Sequence, residues 1–219
     1  MPTLLEYARM ADKAYTPSTD ANPSIPGYTC YVAPKLALDD TSVLHGGRLL
    51  SSGLQARVFL RDKPQKEAVI AFKGTVPTMV SDLVADLRIV LEGVPTQAHV
   101  AIKLVREWKG ALTGYRVTSV GHSLGGGIAQ IVGMSQGVKF VTFNAPGMWT
   151  NAVGIAGFRA MVDTTKRGIN YIKWGDAVGN FGKHVGDTVR VRSTGHSIVG
   201  FVDFLKTYAD RDKDPLAGF

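Results

Sequence analysis

Arg116-Val117-Thr118-Ser119-Val120-Gly121-His122-Ser123-Leu124-Gly125-Gly126-Gly127 carries the most specific local signal in the chain. An apolar, β-branched run enters it and a helix-compatible run, Leu124 to Gly133, leaves it, so Ser123 falls at a strand-to-helix junction inside Gly-x-Ser-x-Gly. A serine at so sharp a turn needs a strained backbone, and Gly121 and Gly125, two residues to either side, let strand and helix approach each other. The turn projects the hydroxyl above the sheet and sets it at a helix N-terminus, where peptide N–H groups and the helix dipole favour developing negative charge. A phosphate-binding loop is the competing reading of a glycine-rich turn. Its fingerprints, Gly-x-Gly-x-x-Gly and Gly-Lys-Ser/Thr, are not met here.

Working outward, short β-type runs alternate with helical patterns, the signature of a mostly parallel sheet with helices on both faces. The strands expected are Arg57 to Leu60, Ala68 to Phe72, Tyr115 to Val120, Lys139 to Phe143, Ile169 to Lys173 and Thr188 to Val191. The seven residues Arg61 to Glu67 are too few for a crossover helix, so the first two strands form a hairpin. Helices are expected over Ser81 to Leu91, Gln97 to Leu112, Leu124 to Gly133 and Ser197 to Tyr208 from the spacing of their apolar residues. A further helix opens the chain, with Thr3 and Glu6 in capping-box register. The stretch Thr16 to Gly53, rich in Pro, Ser, Gly and Asp, yields no pattern. No repeat or linker divides residues 1 to 219, so one domain is expected.

A serine hydroxyl is a poor nucleophile until a base takes its proton, and a carboxylate must orient that base. With this elbow the chain order is Ser, then Asp or Glu, then His. Downstream of Ser123 lie two histidines, His184 and His196, and the carboxylates before one or both are Asp163, Asp176 and Asp187. Asp176 follows the strand ending in Lys173-Trp174, at the edge where catalytic groups of open α/β sheets gather. Asp163 lies in an irregular or helical stretch and Asp187 in a Gly-Asp turn, so both rank below it. His196 stands on a loop before the last helix and is the preferred base, with His184 the alternative. His122, beside the serine, should point away from it and pack; His99 opens a helix and His45 sits in unreadable sequence.

Composition bounds the rest. The 219 residues are 45% hydrophobic and 20% charged, enough for one compact domain whose core needs neither disulfide nor metal. Cys30 is the single cysteine, so no intrachain disulfide forms, and no thiolate zinc spacing exists. The net charge of +7 admits anionic lipid and nucleic acid as partners, but the basic residues are scattered and not interleaved with stacking aromatics, which disfavours nucleic acid. The N-terminus lacks a basic segment followed by an apolar run, and nowhere is there an apolar stretch of roughly 20 residues. The expectation is residence in the cytoplasm, or export by a signal-independent route as for a bacterial secreted effector.

The order of motifs resembles the class 3 lipases, an α/β-hydrolase family of triacylglycerol lipases and phospholipases A1. Ala68-Val69-Ile70-Ala71-Phe72-Lys73-Gly74-Thr75 resembles its strand ending in Phe-Arg-Gly-Thr, and Asp82 to Leu87 its Asp-Trp-x-x-Asp-Leu segment. His99 stands at its His-x-Gly-Phe position, and Gly121 to Gly126 is similar to its Gly-His-Ser-Leu-Gly-Gly. Further on, Val141-Thr142-Phe143-Asn144-Ala145-Pro146 resembles Thr-Phe-Gly-x-Pro and Asp176-Ala177-Val178 resembles Asp-x-Val-Pro. The resemblance, covering Ala8 to Leu205, implies a triad of Ser123, Asp176 and His196, with His184 noncatalytic. It also implies an oxyanion hole from the backbone N–H groups of Leu124 and Thr75, and a small lid-like region over Val76 to Pro95. Departures are Lys73 for Arg, Asn144 for Gly and Gly179 for Pro.

The reaction implied is hydrolysis of a lipid carboxylic ester through an acyl-enzyme, without metal or cofactor. The positive charge and lack of disulfides favour phospholipid over neutral fat and a peripheral membrane surface. A non-lipid esterase of the same family, or a catalytically silent binding module, is the alternative; an inhibitory or immunity-type partner is not readable from sequence.

Overall fold

The structure is a computed structural model and describes residues 1–16, 24–32, 54–74, 87–156 and 168–209. Among these residues a seven-stranded sheet runs in strict sequence order, β1 to β7. Strands β1 (Thr29–Val32), β2 (Ala56–Arg61) and β3 (Glu67–Phe72) pair antiparallel, and β2 and β3 form the expected hairpin with Val58 opposite Ile70. From β3 onward every pairing is parallel, through β4 (Arg116–His122), β5 (Lys139–Phe143), β6 (Gly168–Lys173) and β7 (Asp187–Val191).

Helix α1 (Leu4–Lys13) starts at the capping box: the Glu6 N–H donates to Thr3 Oγ1 at 3.2 Å, and the Thr3 N–H donates to Glu6 Oε2 at 2.7 Å. Such a cap contributes about 1 kcal/mol to the helix. Crossovers between parallel strands run through α2 (Leu87–Ala111), α3 (Leu124–Gln136) and α4 (Trp149–Ala156), and α5 (Ile198–Ala209) closes the described chain. The period-two alternation of β2 and β3 divides the core between the two faces of the sheet. Val58, Ala68, Ile70 and Phe72 pack with Ala101, Leu104, Trp108 and Ile128 of the crossover helices. Phe59, Val69 and Ala71 pack instead with Met10 and Ala11 of α1 and Phe201 of α5. Among the described residues no helix is long and apolar enough to cross a membrane.

Two expectations change. The break expected between Leu91 and Gln97 is absent: Leu87–Ala111 is one 25-residue helix running through Gly93 and Pro95, while residues 81–86 of the first expected helix lie outside the described residues. A proline costs its own N–H bond to the carbonyl four residues back, and tertiary packing outweighs that loss in a long helix. His99 therefore lies in the interior of α2, exposed, and does not open it. Strand β1 and helix α4 were not legible, the first because four residues in a Pro- and Ser-rich stretch carry no periodicity. Residues 75–86, which hold Thr75 and most of the lid-like region, lie outside the described residues, as do His45 and Asp163.

Candidate active site

Ser123 sits between the last residue of β4 and the first of α3 with φ 56° and ψ −130°, a left-handed conformation costing a non-glycine residue about 1–3 kcal/mol. Its surroundings hold it there. Its N–H donates to Phe143 O at 3.1 Å, and its carbonyl accepts the Gly127 N–H at 3.1 Å as the first turn of α3. The two elbow glycines are required by close approach: a Cβ on Gly121 would lie 2.6 Å from Gly126 N, and one on Gly125 would lie 2.7 Å from the carbonyl carbon of Lys73. Leu124 is the first residue of α3, so its N–H belongs to a turn whose amides have no partner within the helix. Lys73, in place of the family's arginine, donates to Gln55 Oε1 at 2.9 Å.

Asp176 and His196 meet. His196 Nδ1 lies 2.7 Å from Asp176 Oδ2, and both residues are buried. A carboxylate only accepts, so the imidazole proton sits on Nδ1 and Nε2 carries the lone pair. Nε2 is buried and has no hydrogen-bond partner. The other Asp176 oxygen, Oδ1, accepts the Gly179 N–H, a donor that proline at this position would lack; the departure at Gly179 thus adds a restraint on the carboxylate. Asn180 donates from Nδ2 to the Asp176 and Trp174 carbonyls at 2.7 and 3.2 Å, closing the loop.

His184 takes a different place. Its Nε2–H donates to Gly179 O at 2.9 Å, bracing the Asp176 loop, and burial lowers its pKa. Asp187 is exposed at the start of β7, the edge of the sheet remote from the elbow.

Four further residues contribute: Tyr15, Lys173 and Asn144 carried no functional reading in sequence, and His122 was read only as an elbow residue that packs. His122 donates from Nε2 to the His196 carbonyl at 2.6 Å, so its Nδ1 is bare and accepts from the Tyr15 hydroxyl at 2.9 Å. Tyr15 also lies against Gly74, where any Cβ would meet its hydroxyl, so it joins the end of α1 to the residues after β3 and to the elbow. Burial, then repulsion from a charged His196, push the His122 pKa down to about 3. It stays neutral at ordinary pH, although its ring lies 4.7 Å from that of His196. Lys173 is buried with Nζ 3.4 Å from Ser197 O and 5.1 Å over the Phe201 ring; burial lowers its pKa, partly offset by the Asp176 carboxylate.

Asn144 is the fourth, and its signal was present as a departure from the family's glycine. Its φ is 46°, a region asparagine tolerates better than most residues. Its Nδ2 donates to Gly195 O and His196 O, both at 3.2 Å, while Oδ1 accepts the Lys173 N–H at 2.9 Å. The side chain therefore ties the histidine loop to the ends of β5 and β6. Asn144→Gly keeps the backbone unstrained and deletes these bonds. We expect a stability loss of about 1–3 kcal/mol in thermal unfolding. Turnover should fall about 10- to 100-fold in kcat with little change in KM, because a misplaced His196 no longer meets its target.

A sequential, mostly parallel sheet with a strained serine elbow and a buried His–Asp pair at its carboxyl edge defines an α/β-hydrolase domain. The chain belongs to the phospholipase-like family of the Tle-like phospholipase domain, whose model matches residues 6–184 and so includes Ser123 and Asp176 but ends short of His196. It is 32% identical over 133 residues to an extracellular phospholipase A1 of Serratia liquefaciens, a match covering 59% of this chain and 39% of that protein. The chain thus spans about two fifths of that relative's length. In fold it is similar to Rhizomucor miehei lipase, with a TM-score of 0.57 and 15% identity over 86% of this chain and 67% of the other. It is likewise similar to a triacylglycerol lipase of Penicillium expansum, with a TM-score of 0.54 and 17% identity over 89% and 80% of the two chains.

Proposed function

We propose that the chain hydrolyses a carboxylic ester of a glycerophospholipid, releasing a fatty acid and a lysophospholipid. The observation that carries this reading is the buried His196–Asp176 pair, whose Nε2 has no partner, on the sheet edge that also presents Ser123 at its strained turn.

Ser123 Oγ attacks the acyl carbonyl carbon as its proton passes to His196 Nε2, and Asp176 stabilises the imidazolium that forms. The carbonyl oxygen becomes an oxyanion facing the Leu124 N–H and, by resemblance, that of Thr75; such donors contribute a factor of about 10² to 10³ each. Collapse breaks the bond to the glycerol oxygen, which takes the proton from His196. Water then attacks the acyl-serine with His196 as base, and the fatty acid leaves. A neutral His122 matters here, because a second positive ring would oppose the imidazolium.

The experiment is to give the chain a phosphatidylglycerol, a triacylglycerol and a soluble short-chain ester in parallel and identify the products by mass spectrometry. Fatty acid and lysophospholipid should come from the phospholipid faster than fatty acid from the triacylglycerol. Hydrolysis of the soluble ester alone would overturn the lipid assignment.

A further inference from the structure

Among the described residues the exposed large apolar side chains besides Met1 are Trp174, Phe181 and Val199, at 64%, 42% and 53% exposure. They fall within 26 consecutive residues, on three loop and helix segments at one edge of the sheet. Trp174 directly follows β6, and its N–H donates to Val191 O at the end of β7 at 3.1 Å. Its carbonyl accepts from Asn180 Nδ2 at 3.2 Å, which brings Phe181, the next residue, alongside. Val199 lies in the first turn of α5, three residues beyond His196. That turn crosses the end of β6: a Cβ on Gly200 would lie 3.2 Å from Lys173 Nζ. The three side chains thus frame the carboxyl edge where the His196–Asp176 pair is found.

The charges nearest Trp174 and Phe181 are basic, while Asp203, one turn beyond Val199 on α5, is paired with Lys206 at 2.9 Å. From Trp174 to Gly200 the exposed ionisable side chains are Lys183, Asp187, Arg190 and Arg192. Asp187 opens β7 at the far edge, while Arg190 and Arg192 lie at the near end, Arg190 Nη1 donating to Asn180 Oδ1 beside Trp174. An apolar centre flanked by arginines matches an anionic membrane surface, whose headgroups attract cations and whose interface accommodates tryptophan. Exposed apolar side chains grouped this way cost solvation unless something covers them.

We propose that Trp174, Phe181 and Val199 form the surface by which the chain seats on an anionic phospholipid bilayer, with Arg190 and Arg192 among the headgroups. The choice of ligand rests on the phospholipid reading above, but the contact itself does not require catalysis. Seated in this way, the chain presents its elbow edge to the acyl esters without first extracting a lipid into water.

The test uses the full chain carrying Ser123→Ala, so that the vesicles are not consumed. Vesicles of equal parts phosphatidylglycerol and phosphatidylcholine should sediment the protein, with affinity falling about fivefold for each of Arg190→Gln and Arg192→Gln. Of the three tryptophans, Trp108 is buried and Trp149 partly buried, so the vesicle-induced change in emission reports on Trp174. Emission should move to shorter wavelength and be quenched by brominated acyl chains. Trp174→Phe should keep the binding and lose the shift. Trp174→Ser with Phe181→Ser should weaken binding about 100-fold. In the Ser123-containing protein the same pair should abolish hydrolysis of vesicles while leaving soluble-ester turnover unchanged, a control that also reports folding. Vesicle binding by a wild-type chain that hydrolyses no ester would uphold this surface and defeat the activity reading. Unquenched tryptophan, or undiminished binding by the double variant, would overturn the proposal and leave the patch to a protein partner.

Discussion

Ser123→Ala should lower hydrolysis of a phospholipid ester by about 10⁴-fold or more, with KM little changed. In the proposed reaction Oγ is the atom that bonds the acyl carbon, and among the described residues no neighbouring group replaces it: His196 Nε2 is the proton acceptor, and the remaining elbow contacts are backbone amides. Alanine keeps a Cβ at φ 56° and therefore the same strained turn, so the far-ultraviolet spectrum and melting temperature should stay near those of the wild type. Residual turnover above the uncatalysed rate would come from binding and the oxyanion donors alone. Steady-state kinetics on a soluble ester measures this without interference from membrane binding. Wild-type rates in the variant would remove Ser123 from the chemistry.

Asp176→Asn is expected to lower kcat by about 10⁴-fold through the tautomer of His196. The amide oxygen of asparagine can still accept the Gly179 N–H that Oδ1 accepts now, so the loop should remain closed. The amide nitrogen then faces His196 Nδ1 and can only donate. The imidazole must shift its proton to Nε2, where it can no longer take one from Ser123. Asp176→Ala should match this loss in kcat and, unlike the asparagine variant, lower stability by releasing the Gly179 N–H, about 1–3 kcal/mol. Equal activity of Asp176→Asn and wild type would return the orienting role to another carboxylate.

Much of this architecture was legible because it is local. Strand β4, the glycines of the elbow and the start of α3 are contiguous, so their pattern survives in one run of sequence. Asp176 and His196 were reachable because their order after Ser123 is fixed by the topology of the sheet. What escaped involves contacts between residues far apart in the chain. Tyr15 and His122 are 107 residues apart, and no periodicity links them. Asn144 reaches a loop about 50 residues on. The break expected between two helices at Gly93-Val94-Pro95 fails for the complementary reason: local propensity pointed to a stop, and packing along a 25-residue helix prevailed. Strand β1 is too short, and too irregularly flanked, for its pairing with β2 to show.

The departures from the family pattern proved the most informative positions. Gly179 and Asn144 each stand where a different residue is usual, and each supplies hydrogen bonds to the Asp176 or His196 segment. The usual proline could not donate to Asp176, and the usual glycine could not clamp the histidine loop.

The proposed reaction makes Ser123 an acyl-accepting nucleophile activated by His196 and Asp176. A fluorophosphonate probe reacts with such a serine and leaves a stable phosphonyl ester, so peptide mass spectrometry of the labelled chain, with phosphatidylglycerol vesicles present, tests it most directly. One modified residue is expected, Ser123, with labelling abolished in Ser123→Ala and slowed at least 10³-fold in Asp176→Asn. An unmodified wild-type chain, or a probe found on any other residue, would contradict it.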